Sequence, residues 1–263
     1  MDNYTGFLIC SDIDGTLYHS GRYLSECNRS AIAYYTAMGG LFTVATGRTP
    51  HELSLFDHSI LSAPIIASSG SLILDHQTGS VLADDPFDAE GYTILREIYR
   101  DYPSVIGVFA EDNHTYPQVY RESGGSIETL FDSFPDPWHK AILLENDAAS
   151  REKLEQELTA RYGGSYVFDS AWSRSVEMHK GDKGTGVRRL RKLLGARAQI
   201  VICVGDHTND IPMLRAADIG CAVSNALDIT KREADHVIVS NDEDAIAYII
   251  KHAEEWAKEK NLL

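Results

Sequence analysis

Two carboxylates two residues apart, Asp12 and Asp14, leave a short apolar run in the segment Asp12-Ile-Asp14-Gly15-Thr16-Leu17. Where a turn follows a strand, two such groups can meet at one cation, and Gly15 permits backbone angles closed to other residues. A solvated Asp-Gly turn has the same local sequence. The glycine comes too early for a calcium-binding EF-hand loop. A second set, Val204-Gly205-Asp206-His207-Thr208-Asn209-Asp210, follows another apolar run, Ile200–Val204. Asp206 brought beside Asp12 and Asp14 collects oxygen ligands, which suit Mg²⁺ and not zinc. Asp210 is then a further ligand or a support behind the ligands. The same turn can cap a helix starting near Ile211, with Asn209 or Asp210 as N-cap, and the two roles are compatible.

Two weaker signals accompany these. Thr46-Gly47-Arg48 follows the run Leu41–Ala45, and a hydroxyl with free backbone N–H groups at a strand end can hold phosphate oxygens. A loop threonine can equally be a cap, and Arg48 either contacts a substrate or fixes an acidic neighbour. Lys183-Gly184 opens a helical pattern. A lysine there opposes the helix dipole unless an anion sits beside it; the alternative is a lysine in solvent. Other templates fail. Gly181–Gly186 lacks Walker spacing, His51-Glu52 lacks the second histidine of a zincin, and Ser69-Gly70-Ser71 lacks the glycine of a nucleophile elbow.

These sets share a chemistry only if the fold carries them to one edge. Phe7–Cys10, Leu41–Ala45 and Pro64–Ala67 read as strands. Ser25 caps a helix with Ala31, Ile32, Tyr35 and Met38 at helical spacing, and Gly39-Gly40 ends it. A helix is expected after Pro50, and Ser71–Leu74 with Ser80–Ala83 reads as a hairpin. From 183 onwards strands and helices alternate again, with strands at 199–204, 218–223 and 236–239 and helices at 210–217, 226–233 and 242–257. This alternation predicts an α/β fold, a doubly wound parallel sheet of Rossmann-like type. Ligands of such sheets bind beyond the carboxyl ends of the strands, where the motifs fall.

Between these halves the rhythm changes. Helices near 88–101 and 148–162 are interspersed with strands at 104–110, 115–119, 140–144, 165–169 and 174–178, an α+β signature. The expected organisation is a core of 1–84 and 180–263 with an inserted α+β domain at 85–179. The insertion carries 8 Lys and Arg against 18 Asp and Glu, a net of −10, and the remainder −5.

The whole chain of 263 residues has a net charge of −15. That opposes a nucleic-acid partner, whose binding rests on Lys and Arg neutralising phosphates. The apolar runs are far short of the ~20 residues of a membrane span, and no n-region and h-region open the chain. Cys10, Cys27, Cys203 and Cys221 form no CxxC, which suits reduced thiols in a cytoplasm.

With all four sets in view, the chain resembles the haloacid dehalogenase superfamily of phosphatases. Asp12–Leu17 is similar to its first motif, Thr46 to its second, Lys183 to its third, and Gly205-Asp206 with Asn209-Asp210 to its fourth. The insertion resembles the type IIB cap of Cof-type sugar-phosphate hydrolases. The resemblance implies a Mg²⁺-dependent phosphatase of small phosphorylated metabolites, in particular sugar phosphates. Asp12 is implied as nucleophile, Asp14 as general acid and then base, and Asp12, the Asp14 carbonyl and Asp206 as metal ligands. Thr46, Gly47, Lys183 and Asn209 are implied around the phosphoryl oxygens, with Asp210 orienting Lys183 or a metal-bound water. Many relatives have Asn-Gly where Ser69-Gly70 stands here, and His207 occupies a spot often small among them. The insertion is expected to close over the site and set specificity, with Arg174, Glu177, His179, His139 and Lys140 as candidates. A phosphomutase of the same fold and a non-catalytic phospho-ligand sensor are the rival expectations.

Overall fold

The structure is a computed structural model describing residues 3–111, 118–133, 137–170 and 174–263. The chain starts with β1 (Phe7–Ser11), α1 (Glu26–Ala37), β2 (Leu41–Val44), β3 (Ile65–Ala67), β4 (Leu72–Leu74) and β5 (Val81–Asp84). There follow α2 (Ala89–Asp101), β6 (Gly107–Glu111), β7 (Gln118–Tyr120), α3 (Ile127–Ser133), β8 (Lys140–Leu144), α4 (Ala148–Tyr162), β9 (Val167–Asp169) and β10 (Ser175–His179). The last part holds α5 (Lys183–Leu194), β11 (Ile200–Gly205), α6 (Ile211–Ala216), β12 (Ile219–Ala222), α7 (Asp228–Glu233), β13 (His236–Val237) and α8 (Ala245–Glu259). Two units result. The first comprises Met1–Thr46, Phe56–Ala83 and Lys183–Leu263; the second comprises Gly47–Leu55 and Asp84–Asp182. The short segment Gly47–Leu55 thus goes with the second unit, not with the strands that flank it in sequence.

The first unit is built on a parallel sheet in the order β13-β12-β11-β1-β2. Its central strands are buried from end to end because helices cover both faces, and their sequences are accordingly continuous apolar runs. On one face Leu8, Cys10, Val201 and Cys203 pack with Val187, Leu190 and Leu194 of α5 and Met213 and Leu214 of α6. The α5 residues recur at helical spacing, the stripe that lets a helix lie on a sheet. α1 packs against α8. Ser25 caps α1 by accepting from Asn28 N at 3.0 Å, and Gly39 turns the chain out with φ +91.

Two expectations, one for this unit and one for the segment after Pro50, need correction. β3 does not extend the five-stranded ladder but heads a small sheet in the order β3-β4-β5, joined to the larger one by a single bridge from Ala45 to Ile66. No helix follows Pro50. Instead one 3₁₀ turn, Glu52–Leu55, is capped where Glu52 Oε2 accepts from Thr49 N at 2.9 Å. Asp57 then caps a separate turn at His58–Ile60, so the helical pattern is cut before a second turn forms.

The second unit is an antiparallel sheet in the order β7-β6-β8-β10-β9. One face, with Val108, Ala141, Leu143, Val176 and Met178, forms a core with Ile94, Leu95 and Ile98 of α2 and Leu154 and Leu158 of α4. Alternation along the strands puts Lys140 on β8 and Glu177 and His179 on β10 onto the opposite face, with His179 directly opposite Lys140. The strand expected at 104–110 begins at Gly107, after a turn in which Val105 N donates to Tyr102 O. Of the strand expected at 115–119, residues 115–117 lie outside the described residues, and β7 contains the rest.

Candidate active site

The main-chain ladder carries three of the four motifs to one edge of the parallel sheet. β1 lies between β11 and β2, with Ser11 level with Val204 and Val44. The next residues along continue that alignment: Asp12 N donates to Val204 O and Ala45 N to Ser11 O, both at 2.9 Å. Asp12, Thr46 and Asp206 therefore stand just past the carboxyl ends of three adjacent strands, where an open parallel sheet offers its ligand crevice.

Beyond β1 the backbone makes a wide turn over Ile13–Leu17, with Leu17 N donating to Asp12 O and Tyr18 N to Ile13 O. Gly15 sits in it at φ +82, and a Cβ there would come 2.7 Å from Asp206 Oδ2. Both the turn and the approach of Asp206 exclude a side chain at this position. Thr16, fully buried, donates from Oγ1 to Asp206 Oδ1 at 3.1 Å.

Asp210 is fully buried and serves two directions. Its Oδ2 accepts from the backbone N–H groups of Asp206 and His207 at 2.9 and 3.0 Å. Its Oδ1 accepts from Lys183 Nζ at 2.6 Å. The side chain thus closes the turn that holds Asp206, and it does not cap α6, which starts at Ile211 with no side-chain cap. Lys183 is 2% exposed and reaches Asp12 Oδ1 as well, at 2.7 Å. A cation at the start of α5 therefore has two carboxylates against it, which answers the unfavourable helix dipole.

Carboxylate oxygens of Asp12, Asp206 and Asp210 lie within 4.8 Å of one another. Burial raises the Asp12 carboxyl, Lys183 pulls it back, and Asp210 and Asp206 raise it again, leaving it pushed up to about 8. Burial and Asp210 push Asp206 up to about 6 against the pull of Lys183. Burial disfavours the Lys183 ammonium, but Asp12 and Asp210 outweigh it and hold its pKa well above the ordinary range. Three carboxylates facing one ammonium form a cluster short of positive charge. A hard divalent cation with oxygen ligands fits that deficit. The Asp14 side chain is exposed and stands outside this carboxylate group, whereas the reading of the motif by itself brought both carboxylates to one cation; the ligand the family resemblance implies there is the Asp14 carbonyl.

The remaining motif residues are placed as follows. Thr46 is buried; its N–H donates to Ile66 O and its carbonyl accepts from Ser69 N. Ser68 and Ser69 both take left-handed backbone angles, a strained pair held next to Thr46. Asn209 lies half-buried on the 3₁₀ turn Thr208–Asp210, and His207 Nδ1 is 3.2 Å from Thr208 Oγ1. Gly47 and Arg48 fall in the second unit. The five specificity candidates of the insertion have partners inside that unit: Lys140 with Glu177, His179 with Asp169, His139 with Asp84, and Arg174 with the Glu145 carbonyl.

Three supporting residues escape a reading of motifs. Thr16 is one. Asn225 donates from Nδ2 to Gly15 O at 2.8 Å, and Asn241 donates from its N–H to Asn225 Oδ1 and from Nδ2 to Tyr18 O, each at 2.9 Å. The hydroxyl directly after Gly15 was a usable signal for Thr16. Nothing local marks either asparagine, because each acts on a loop more than two hundred residues away.

A sequence profile of the haloacid dehalogenase-like hydrolases matches residues 9–250. Over 253 residues the chain is 28% identical to 5-amino-6-(5-phospho-D-ribitylamino)uracil phosphatase YcsE of Bacillus subtilis (strain 168), covering 93% of this chain and 94% of that protein. It is 26% identical over 264 residues to pyridoxal phosphate phosphatase YbhA of Escherichia coli (strain K12), covering 92% and 97%. Its fold matches that of the subclass IIB sugar phosphatase BT4131 with a TM-score of 0.78, at 20% identity, over 94% of this chain and 99% of that one. The chain therefore belongs to the haloacid dehalogenase-like hydrolases, and these relatives, matched over nearly their full length, are phosphatases. Among the described residues no helix is long and apolar enough to cross a membrane.

Proposed function

We propose that the protein is a Mg²⁺-dependent phosphatase of small phosphorylated metabolites, sugar phosphates first among them, and that it works through an aspartyl-phosphate on Asp12. The observation that carries this reading is the Lys183 ammonium gripped by Asp12 and Asp210 at 2.7 and 2.6 Å beside a third carboxylate, Asp206. A structural ion pair needs one carboxylate. Three converging on one buried cation match a site that handles a metal and a phosphoryl group together.

In the first step an Asp12 carboxylate oxygen attacks phosphorus. The Asp12 O–P bond forms as the ester P–O bond breaks, and the leaving oxygen takes a proton from Asp14. In the second, water attacks phosphorus and gives its proton to Asp14, while the Asp12 O–P bond breaks and inorganic phosphate departs. Lys183, Thr46 and Asn209 hold the phosphoryl oxygens, and Asp210 keeps Lys183 in place. Mg²⁺ held by Asp12, Asp206 and the Asp14 carbonyl, with Asp210 at hand, would offset the repulsion between an anionic nucleophile and an anionic ester. The buried free thiols of Cys10, Cys203 and Cys221 fit a reducing compartment, the cytoplasm.

The test is hydrolysis of para-nitrophenyl phosphate and of a panel of sugar phosphates with Mg²⁺. Turnover that vanishes in Asp12→Asn and on adding EDTA supports the reading. Undiminished turnover in Asp12→Asn removes the nucleophile from it. Free phosphate marks hydrolysis, whereas an isomerised sugar phosphate with no phosphate released makes the protein a mutase.

A further inference from the structure

The second unit is joined to the first at four places in the chain; at two of them polar side chains of its own hold the connecting backbone, and at a third one holds a connecting side chain. Lys140 Nζ donates to the carbonyl of Gly47 at 2.9 Å, the residue bonded to Thr46. His179 Nδ1 bonds the carbonyl of Gly181, two residues before Lys183. His139 Nε2 lies 3.4 Å from Asp84 Oδ2. Lys140 and His179 face each other across β8 and β10, so one cross-strand pair grips the connectors to both Thr46 and Lys183.

Lys140 is 3% exposed and is paired with Glu177 at 3.1 Å, itself buried. Stability alone does not call for such a pair, since apolar residues of similar volume generally hold a sheet as well or better. An apolar side chain has no N–H to give the Gly47 carbonyl. The charged pair fixes that donor, with Glu177 holding the ammonium on one side while it points at the backbone on the other.

We propose that Lys140, held by Glu177, is a positioning residue for phosphoryl transfer: it fixes the Gly47 carbonyl and so sets where Thr46 presents its hydroxyl. His179 does the corresponding work on the Lys183 side through Gly181. The inference rests on the reading of Thr46 and Lys183 as phosphoryl-holding groups.

The test is a double-mutant cycle on the full chain with para-nitrophenyl phosphate and saturating Mg²⁺, using Thr46→Ala, Lys140→Met and the two combined. Lys140→Met is expected to lower kcat about ten- to a hundredfold, the range a small misplacement of a catalytic group produces. Combined with Thr46→Ala it is expected to change kcat by less than about twofold further, because coupled residues are not additive. Lys140→Met with Glu177→Leu removes both charges, spares the fold an unpaired buried carboxylate, and is expected to show the same loss. Wild-type kcat in that pair, or the full Lys140→Met loss repeated in the Thr46→Ala background, overturns the proposal. An inactive wild type counts against the site reading instead. The clamp is then judged by inorganic phosphate affinity in calorimetry, which the Lys140→Met and Glu177→Leu pair must weaken and which, if unchanged, also overturns it.

Discussion

The Lys183 ammonium lies 2.7 Å from the Asp12 carboxylate although 171 residues separate them in the chain. Asp210 takes a second hydrogen bond from the same nitrogen. Lys183→Met leaves these buried carboxylates without a counter-ion and is expected to cost about 3–5 kcal/mol of stability. Urea unfolding without Mg²⁺ measures it. Lys183→Arg keeps the charge and recovers part of the stability, but its planar fork does not reproduce the contacts of an ammonium and kcat stays low. Equal stability of Lys183→Met and wild type would mean that the pair contributes nothing net.

Divalent cation binding is expected to raise the melting temperature, because a ligand that binds only the folded state stabilises it. At a hundredfold excess over Kd the gain is about 2.7 kcal/mol. Asp206→Asn removes a charge from the cluster while its amide oxygen can still accept from Thr16, and the Mg²⁺ concentration for half-maximal activity is expected to rise at least about tenfold. Melting curves and activity titrations with Mg²⁺ check both. An Asp206→Asn protein with the wild-type Mg²⁺ response would take Asp206 out of the cation site.

Gly15→Ala combines a left-handed backbone with a Cβ directed at Asp206 Oδ2 at 2.7 Å. Alanine in such a conformation is expected to destabilise the fold by about 1 kcal/mol or more. Displacement of Asp206 weakens Mg²⁺ binding at the same time. The urea midpoint and the Mg²⁺ titration move together if the contact matters, and neither moves if the loop relaxes freely.

His179 predicts a pH dependence in the second unit. Burial works against its imidazolium, but Asp169, with Glu177 adding to it, more than offsets this and raises its pKa above the usual 6.5. The folded form thus binds the proton more tightly than the unfolded chain. The resulting stabilisation is fully present below the unfolded value of about 6.5 and is lost as pH rises through the folded one. Urea midpoints are expected to fall as the pH is raised from about 6 upward, and less steeply in His179→Asn. An unchanged slope in that variant would assign the pH dependence to other groups.

What the sequence discloses depends on how local its cause is. Phe7–Cys10 and Ile200–Val204 are legible as strands because covering on both faces demands unbroken apolar runs, and the motifs are legible because each directly follows such a run. Lys183 is legible by its awkward place at a helix start. The segment after Pro50 misleads because its helical spacing persists while Asp57 starts a new capped turn. Asp210 has the sequence of a helix cap, yet its carboxylate is drawn to the N–H groups of Asp206 and His207 and to Lys183, a choice that only the folded neighbourhood decides. Asn225, Asn241 and Lys140 act through backbone carbonyls of distant segments, and a carbonyl has no sequence signature.

The tie from Asn225 to Gly15 also bears on how the polypeptide is made. β1 is synthesised well before its partner β11 and before both supporting asparagines, which lie more than two hundred residues beyond the backbone they hold. A ribosome must deliver the chain as far as Asn241 before the loop behind Asp12 acquires its final restraints. Nascent fragments ending before β11 leave one edge of that strand open, so competence waits on those later segments and a product truncated before them lacks it altogether.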